Sequence, residues 1–155
     1  MFSKTFVKKK ILIYGLGLSG NSCLKFLKIN NNIKVFDDNS SLKNKNNKKF
    51  FLKKNEIIRS NFDFIVLSPG IDLHKCGLKK YLTKNLNRII TELDIFQIIY
   101  PNNIKITITG TNGKSTTCQM LYNIFKAKKL DVRLVGNIGK PPLQEKKIKK
   151  KTIFI

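Results

Sequence analysis

Residues that bind metals or form cross-links are scarce in this chain: it has one histidine, His74, and three cysteines, Cys23, Cys76 and Cys118, in 155 residues. An odd, widely spaced set of this kind builds neither a recognisable metal site nor a disulfide framework, so a reducing cytoplasm is the expected setting. Acidic residues are also few, nine against 31 lysines and arginines, which leaves a formal charge of +22. Arginine contributes only Arg59, Arg88 and Arg133. Lysine, asparagine and isoleucine rise together, as in a drift of coding composition that scatters charge over solvated faces. No helix-turn-helix, zinc or aromatic stacking motif accompanies the charge, so no nucleic-acid partner is expected. A basic nucleic-acid-binding module, resting on charge alone, is the non-enzyme alternative.

Long apolar runs are missing too, and none approaches the length of a membrane-spanning helix. Lys8-Lys9-Lys10 ahead of Ile11-Leu12-Ile13-Tyr14 imitates a secretory signal, but glycines interrupt the apolar region and no small-x-small cleavage site follows. The expectation is therefore a soluble, cytoplasmic chain with no membrane partner. Its length suits one domain with a single core and leaves little room for a complete multi-domain enzyme.

What is present alternates strand, turn and helix. Ile11 to Tyr14 reads as a buried strand, Ser19 to Ile29 as a helix with Leu24 and Leu27 inward, and Ile33 to Phe36 as a second strand. The lysine- and asparagine-rich stretch from Asn39 to Asn55 reads as exposed loop or frayed helix. Phe62 to Leu67 is the next strand, Cys76 to Lys84 a helix and Arg88 to Ile90 a short strand. Thr91 begins another helix as N-cap, with Asp94 in the capping-box position. Pro101-Asn102-Asn103 reads as a boundary. Ile104 to Ile108 then reads as a strand, followed by a helix with Cys118, Leu121, Ile124 and Phe125 at helical spacing, and by strand-like segments Val132 to Val135 and Thr152 to Ile155. The fold class is α/β with mainly parallel sheets.

Four turns carry chemistry. Gly110-Thr111-Asn112-Gly113-Lys114-Ser115-Thr116 lies between a strand and a helix, where unpaired backbone N–H groups and the helix dipole favour an anion. Lys114 brings charge to the outer phosphates of a nucleotide, and Ser115 a hydroxyl for an accompanying magnesium ion. A full P-loop signature has glycine where Ile108 stands. Gly15-Leu16-Gly17-Leu18-Ser19-Gly20 meets the spacing of a dinucleotide fingerprint, and Asp37 follows at the end of the next strand. Alone, this turn points to an NAD-dependent oxidoreductase, the enzyme alternative; it indicates a diphosphate without naming the base. Ser68-Pro69-Gly70-Ile71 closes the third strand and reads equally as ligand edge or ordinary turn. Gly136-Asn137-Ile138-Gly139 ends the strand after the phosphate loop's helix, where Asn137 offers an amide and a plain turn is the alternative.

In this order over the whole chain, Gly-Leu-Gly-x-Ser-Gly, Ser-Pro-Gly-Ile, Gly-Thr-Asn-Gly-Lys-Ser-Thr and Gly-Asn-Ile-Gly closely resemble the Mur ligase family, and within it the D-glutamate-adding branch. The helix Thr91-Glu92-Leu93-Asp94-Ile95-Phe96 also resembles the family's segment between its first two domains. The resemblance implies that residues 1–100 are a Rossmann-like UDP-sugar-binding domain and 101–155 the N-terminal part of a truncated, P-loop-type ATP-binding central domain. Gly15, Gly17, Leu18, Ser19, Gly20, Asp37, Asp38, Ser68, Pro69, Gly70 and Asn137 would then contact the UDP-substrate. Gly110 to Thr116 would hold ATP, with Lys114 and Ser115 catalytic and Ser115 on Mg2+. Asn39 stands where relatives often have a basic or hydroxyl residue near the uracil pocket, and Lys140 replaces a commonly apolar residue.

The implied reaction is ATP-dependent addition of D-glutamate to UDP-N-acetylmuramoyl-L-alanine through an acyl phosphate, in peptidoglycan synthesis for cell wall growth, shape and division. The family's further metal ligands, its carbamylated lysine and its D-glutamate domain would lie beyond Ile155. The chain is accordingly expected to be an inactive, monomeric N-terminal fragment.

Overall fold

The computed structural model describes residues 4–44 and 47–155 and divides into two compact units, Met1–Ile99 and Tyr100–Ile155. In the first, β1 (Lys10–Tyr14), β2 (Asn32–Phe36), β3 (Phe64–Leu67) and β4 (Ile89–Ile90) form a parallel sheet in the order β2-β1-β3-β4. Ile11, Leu12, Ile13 and Tyr14 are all fully buried, as befits a central strand covered on both faces. Leu12 and Tyr14 join Ile65 and Leu67 of β3, together with Ile57, Phe62, Leu78 and Leu82, in one apolar cluster. Ile57 belongs to α2 (Lys54–Ile58) and Leu82 to α3 (Lys79–Lys84), so these helices cover that face. α1 (Leu18–Leu27) connects β1 to β2 in the opposite direction and therefore lies on the other face, where α4 (Glu92–Ile99) packs against it. The reversal places a topological switch point between β1 and β3, whose carboxyl ends border the natural ligand crevice of such a sheet.

Local sequence accounts for these elements. Cys23, Leu24 and Leu27 turn inward from α1 at helical spacing, while Ile29 lies beyond the helix and is exposed. The Thr91–Asp94 capping box forms: Asp94 accepts the Thr91 backbone N–H at 2.7 Å, and Thr91 Oγ1 accepts the Asp94 N–H at 3.3 Å. The lysine- and asparagine-rich stretch contains short 3-10 turns at Ser40–Leu42 and Lys48–Phe50, and its positions 45 and 46 lie outside the described residues. α3 starts at Lys79 rather than at Cys76, and the Gly77 N–H just before it donates to Asp38.

In the second unit, β5 (Val132–Arg133) pairs in parallel with β6 (Ile153–Phe154), and α5 (Lys114–Ala127) follows the loop that ends in Gly113. The strand expected over Ile104 to Ile108 is an extended segment with one bridge, Lys105 to Phe154. Its hydrogen bonds are limited to a two-residue partner: Ile106 N–H donates to Phe154 O at 2.8 Å and Phe154 N–H to Ile104 O at 2.9 Å. On α5, Cys118, Leu121 and Phe125 are half-buried, but Ile124 is exposed instead of facing inward. No described helix is long and apolar enough to cross a membrane.

A polar knot ties β5 to β6. Asp131 accepts a proton from Thr152 Oγ1 at 2.6 Å and pairs with Arg133, whose Nε also meets Glu145 at 3.2 Å. The Thr152 hydrogen bond, the largest influence, holds the Asp131 carboxyl below its ordinary value; burial opposes it, and the Arg133 charge and hydrogen bond add to the lowering. A group depressed on folding stabilises the folded state above its unfolded value, near 3.9, and the contribution disappears as pH falls through the folded value. Lowering pH from about 5 to about 2 should therefore lower the amide protection factors across β5 and β6, taken against the intrinsic exchange rate at each pH, and Asp131→Asn should flatten that dependence.

Candidate functional site

The carboxyl end of β1 turns sharply at Gly15, whose φ of +93° lies in the left-handed region and whose N–H donates to Phe36 O at 2.9 Å. A Cβ there would come within 2.7 Å of Ser68 Cβ. Gly20, buried in the first turn of α1, passes so close to the Gly15 carbonyl that a Cβ would overlap that oxygen. Ser68 is buried as well, and its hydroxyl donates to the same carbonyl at 2.8 Å. Gly17 has another role: it is the N-cap of α1 with φ of −65°, nothing lies near its missing Cβ, and no side chain caps the helix. The first-turn N–H groups of α1, at Leu18, Ser19 and Gly20, thus have no side-chain cap, and Leu18 beside them is 81 % exposed.

The acids at the end of β2 are engaged by the protein. Asp37 accepts the backbone N–H of Leu16 at 2.6 Å and of Asn39 at 2.8 Å, tying the glycine turn to the next strand. Asp38 accepts the Tyr14 hydroxyl and the Gly77 N–H, the latter at 3.3 Å. A Cβ on Gly77 would overlap the Asp38 carboxylate. Burial first, and then the bond to Asp38, push the Tyr14 phenol pKa up, so Tyr14 stays a neutral donor. Asn39 caps its own turn by accepting from Ser41 N–H at 3.0 Å. Ser19 donates its hydroxyl proton to Glu92, the buried first residue of α4. Pro69 and Gly70 are exposed at the end of β3, where Ile71 N–H closes the turn onto Ser68 O at 3.0 Å.

The structure therefore brings Gly15, Gly17, Leu18, Ser19, Gly20, Asp37, Asp38, Ser68, Pro69 and Gly70 to the carboxyl edge of one sheet. Sequence reasoning missed Tyr14, Asn21, Gly77 and Glu92. Asn21 sends its amide to Leu16 O and Gly17 O, the latter at 3.1 Å, and so braces the turn. Gly77, a glycine inside an expected helix, was the one visible signal; the others are ordinary residues of regular elements.

In the second unit, Gly110 and Gly113 have φ of +144° and +76°, and Gly113 is the N-cap of α5, again without a side-chain cap. Lys114 folds its ammonium onto the loop, donating to Gly110 O and, at 3.0 Å, to Thr111 O. Thr111, Asn112, Ser115 and Thr116 are exposed. Uncapped donors, an open glycine backbone, a lysine and an exposed hydroxyl suit a nucleotide's phosphates. The described residues hold no cluster of three or more metal-ligating His, Cys, Asp or Glu side chains. Magnesium binds such sites through phosphates and waters with few protein ligands, a pattern that the Ser115 hydroxyl fits. Asn137 is exposed in the same unit, in a turn where Gly136 and Gly139 have φ of +110° and +86°.

Two glycine substitutions should separate framework from ligand space. Gly20→Ala, which overlaps backbone, should lower stability by more than about 2 kcal/mol in denaturant unfolding. Gly17→Ala, with nothing to meet, should stay within about 1 kcal/mol.

Sequence comparison matches residues 9–90 to the Mur ligase MurD-like N-terminal domain and residues 108–152 to the Mur ligase middle domain. The chain is 40 % identical over 150 residues to the UDP-N-acetylmuramoylalanine--D-glutamate ligase of Buchnera aphidicola subsp. Schizaphis graminum (strain Sg), covering 92 % of this chain and 33 % of that protein. The ligases of the same name from Rickettsia bellii (strain RML369-C) and Clostridioides difficile (strain 630) are each 37 % identical, over 90 % and 86 % of this chain and 32 % of each relative. The chain thus spans about a third of the length of the curated relatives it matches. With a MurD-like first unit and a middle-domain match in the second, this chain belongs to the Mur ligase family, on its MurD-like branch.

Proposed function

We propose that this chain supplies the UDP-sugar-binding domain and the start of the ATP-binding domain of an ADP-forming ligase that adds D-glutamate to UDP-N-acetylmuramoyl-L-alanine in peptidoglycan synthesis. The observation that carries the reading is the pair of uncapped, glycine-led helix N-termini, one in each unit, at Gly17 and Gly113. Relatives that bear this ligase name match both units.

In the first unit, the N–H groups of the glycine turn would receive the diphosphate of the UDP-substrate, with Leu18, Pro69 and Gly70 lining the approach. Asp37 and Asp38 would keep the ends of β1 and β2 in register around it. In the second unit, Gly110 to Thr116 would hold the phosphates of ATP. Lys114, released from the Gly110 and Thr111 carbonyls, would stabilise charge on the transferred phosphoryl group, which is positional and electrostatic catalysis. Ser115 would hold magnesium, which neutralises phosphate charge when bound. In the proposed reaction, the L-alanyl carboxylate takes the γ-phosphoryl group and the D-glutamate amine then displaces phosphate to leave an amide.

Titration calorimetry of the purified chain tests the two sites separately. UDP should bind, and NADH should neither bind nor gain fluorescence; the reverse pattern would favour an oxidoreductase. ATP should bind the second unit, and Lys114→Ala should weaken ATP at least about tenfold while leaving UDP affinity unchanged. Loss of both affinities together, or of neither, would count against the assignment of Lys114.

A further inference from the structure

The proposed site assigns no role to one buried carboxylate. Glu92 is only 5 % exposed at the start of α4, and among its contacts is the hydroxyl of Ser19, 73 residues earlier in the chain. Ser19 is the second residue of α1, in the turn that carries the uncapped N–H donors. A serine hydroxyl has a single proton. Once that proton is given to Glu92, the oxygen presents only lone pairs, which a phosphate oxygen cannot use. A buried carboxylate also needs hydrogen-bond donors, so Glu92 has good reason to keep this one. Glu92 acts on the underside of α1 in a second way: its charge adds to burial in pushing the Cys23 thiol pKa up.

We propose that Glu92 is a positioning residue for the ligand turn: by engaging Ser19 Oγ, it anchors the first turn of α1 so that a nucleoside diphosphate meets the backbone N–H groups of Leu18 and Ser19 rather than the Ser19 hydroxyl. The ligand class rests on the UDP reading above; the anchoring does not. The tie also joins the ligand turn to α4, the last element of its unit.

The test uses the full 155-residue chain, with UDP as probe by calorimetry and with amide exchange measured without UDP at residues 21–23, whose N–H groups bond back to that turn, Asn21 to Gly17 O at 3.0 Å. Glu92→Ala should speed exchange at these residues and weaken UDP about tenfold. Glu92→Gln, whose amide oxygen accepts the same proton, should stay within about threefold of the unsubstituted chain. Adding Ser19→Ala to Glu92→Ala should cost nothing more, because both cut one tie. A further loss in the double variant would make the hydroxyl a direct ligand contact and overturn the proposal, as would unchanged exchange in Glu92→Ala. Where Glu92→Ala does not fold, Ser19→Ala takes its place: faster exchange and weaker UDP together support the tie, and weaker UDP with unchanged exchange overturns it. Failure of the unsubstituted chain to bind UDP would refute the UDP reading, while the exchange measurements still decide whether Glu92 anchors the turn.

Discussion

The ligand edge of the first unit depends on how closely α1 can approach the end of β1. The Gly15 carbonyl sits between Gly20, which has no Cβ to obstruct it, and Ser68, which donates to it. That contact sets the angle at which the helix leaves the sheet, and so where its first-turn N–H groups lie. The fully buried β1 beneath gives the turn a rigid base. A side chain at position 20 would separate helix from strand and disperse the donors that an anion requires.

Around this contact, most polar side chains of the edge are committed to the protein itself. Asp37 binds the turn's own backbone, Asp38 binds Tyr14 and Gly77, Ser68 binds Gly15, and Ser19 binds Glu92. Such bonds cost an incoming ligand nothing to organise, because the site is already held in shape before it arrives. The outward-facing groups are backbone donors and the apolar or small residues Leu18, Pro69 and Gly70. This arrangement suits an anionic group flanked by less polar parts better than one read by side-chain charges.

Much of this was legible in the chain. The strands of the first βαβ unit, the inward face of α1 and the Thr91–Asp94 capping box all follow from spacing over a few residues, and all appear in the structure. Three of the four glycine-bearing turns were equally visible, since a positive φ or a close approach at Gly15, Gly20, Gly110, Gly113, Gly136 and Gly139 leaves few other residues to choose from; Gly70 has neither. Where sequence reasoning failed, the deciding partner was distant. Ile104 to Ile108 has the β-branched alternation of a strand, but a two-residue partner allows it one bridge. The helix expected from Cys76 begins at Lys79, and the Gly77 N–H ahead of it bonds to an aspartate 39 residues away.

The glycine pattern, the hydrophobic spacing and the lysine and hydroxyl after Gly113 are properties of short windows, and they were sufficient for an α/β chain with two glycine-led helix N-termini. The folded chain alone settled which polar groups remain available to a ligand, because that depends on partners far apart in sequence: Ser68 with Gly15 across 53 residues, Asp38 with Gly77 across 39, and Ser19 with Glu92 across 73. A side chain's type shows what it can donate or accept. Only the neighbours that burial brings to it show whether that capacity is already spent.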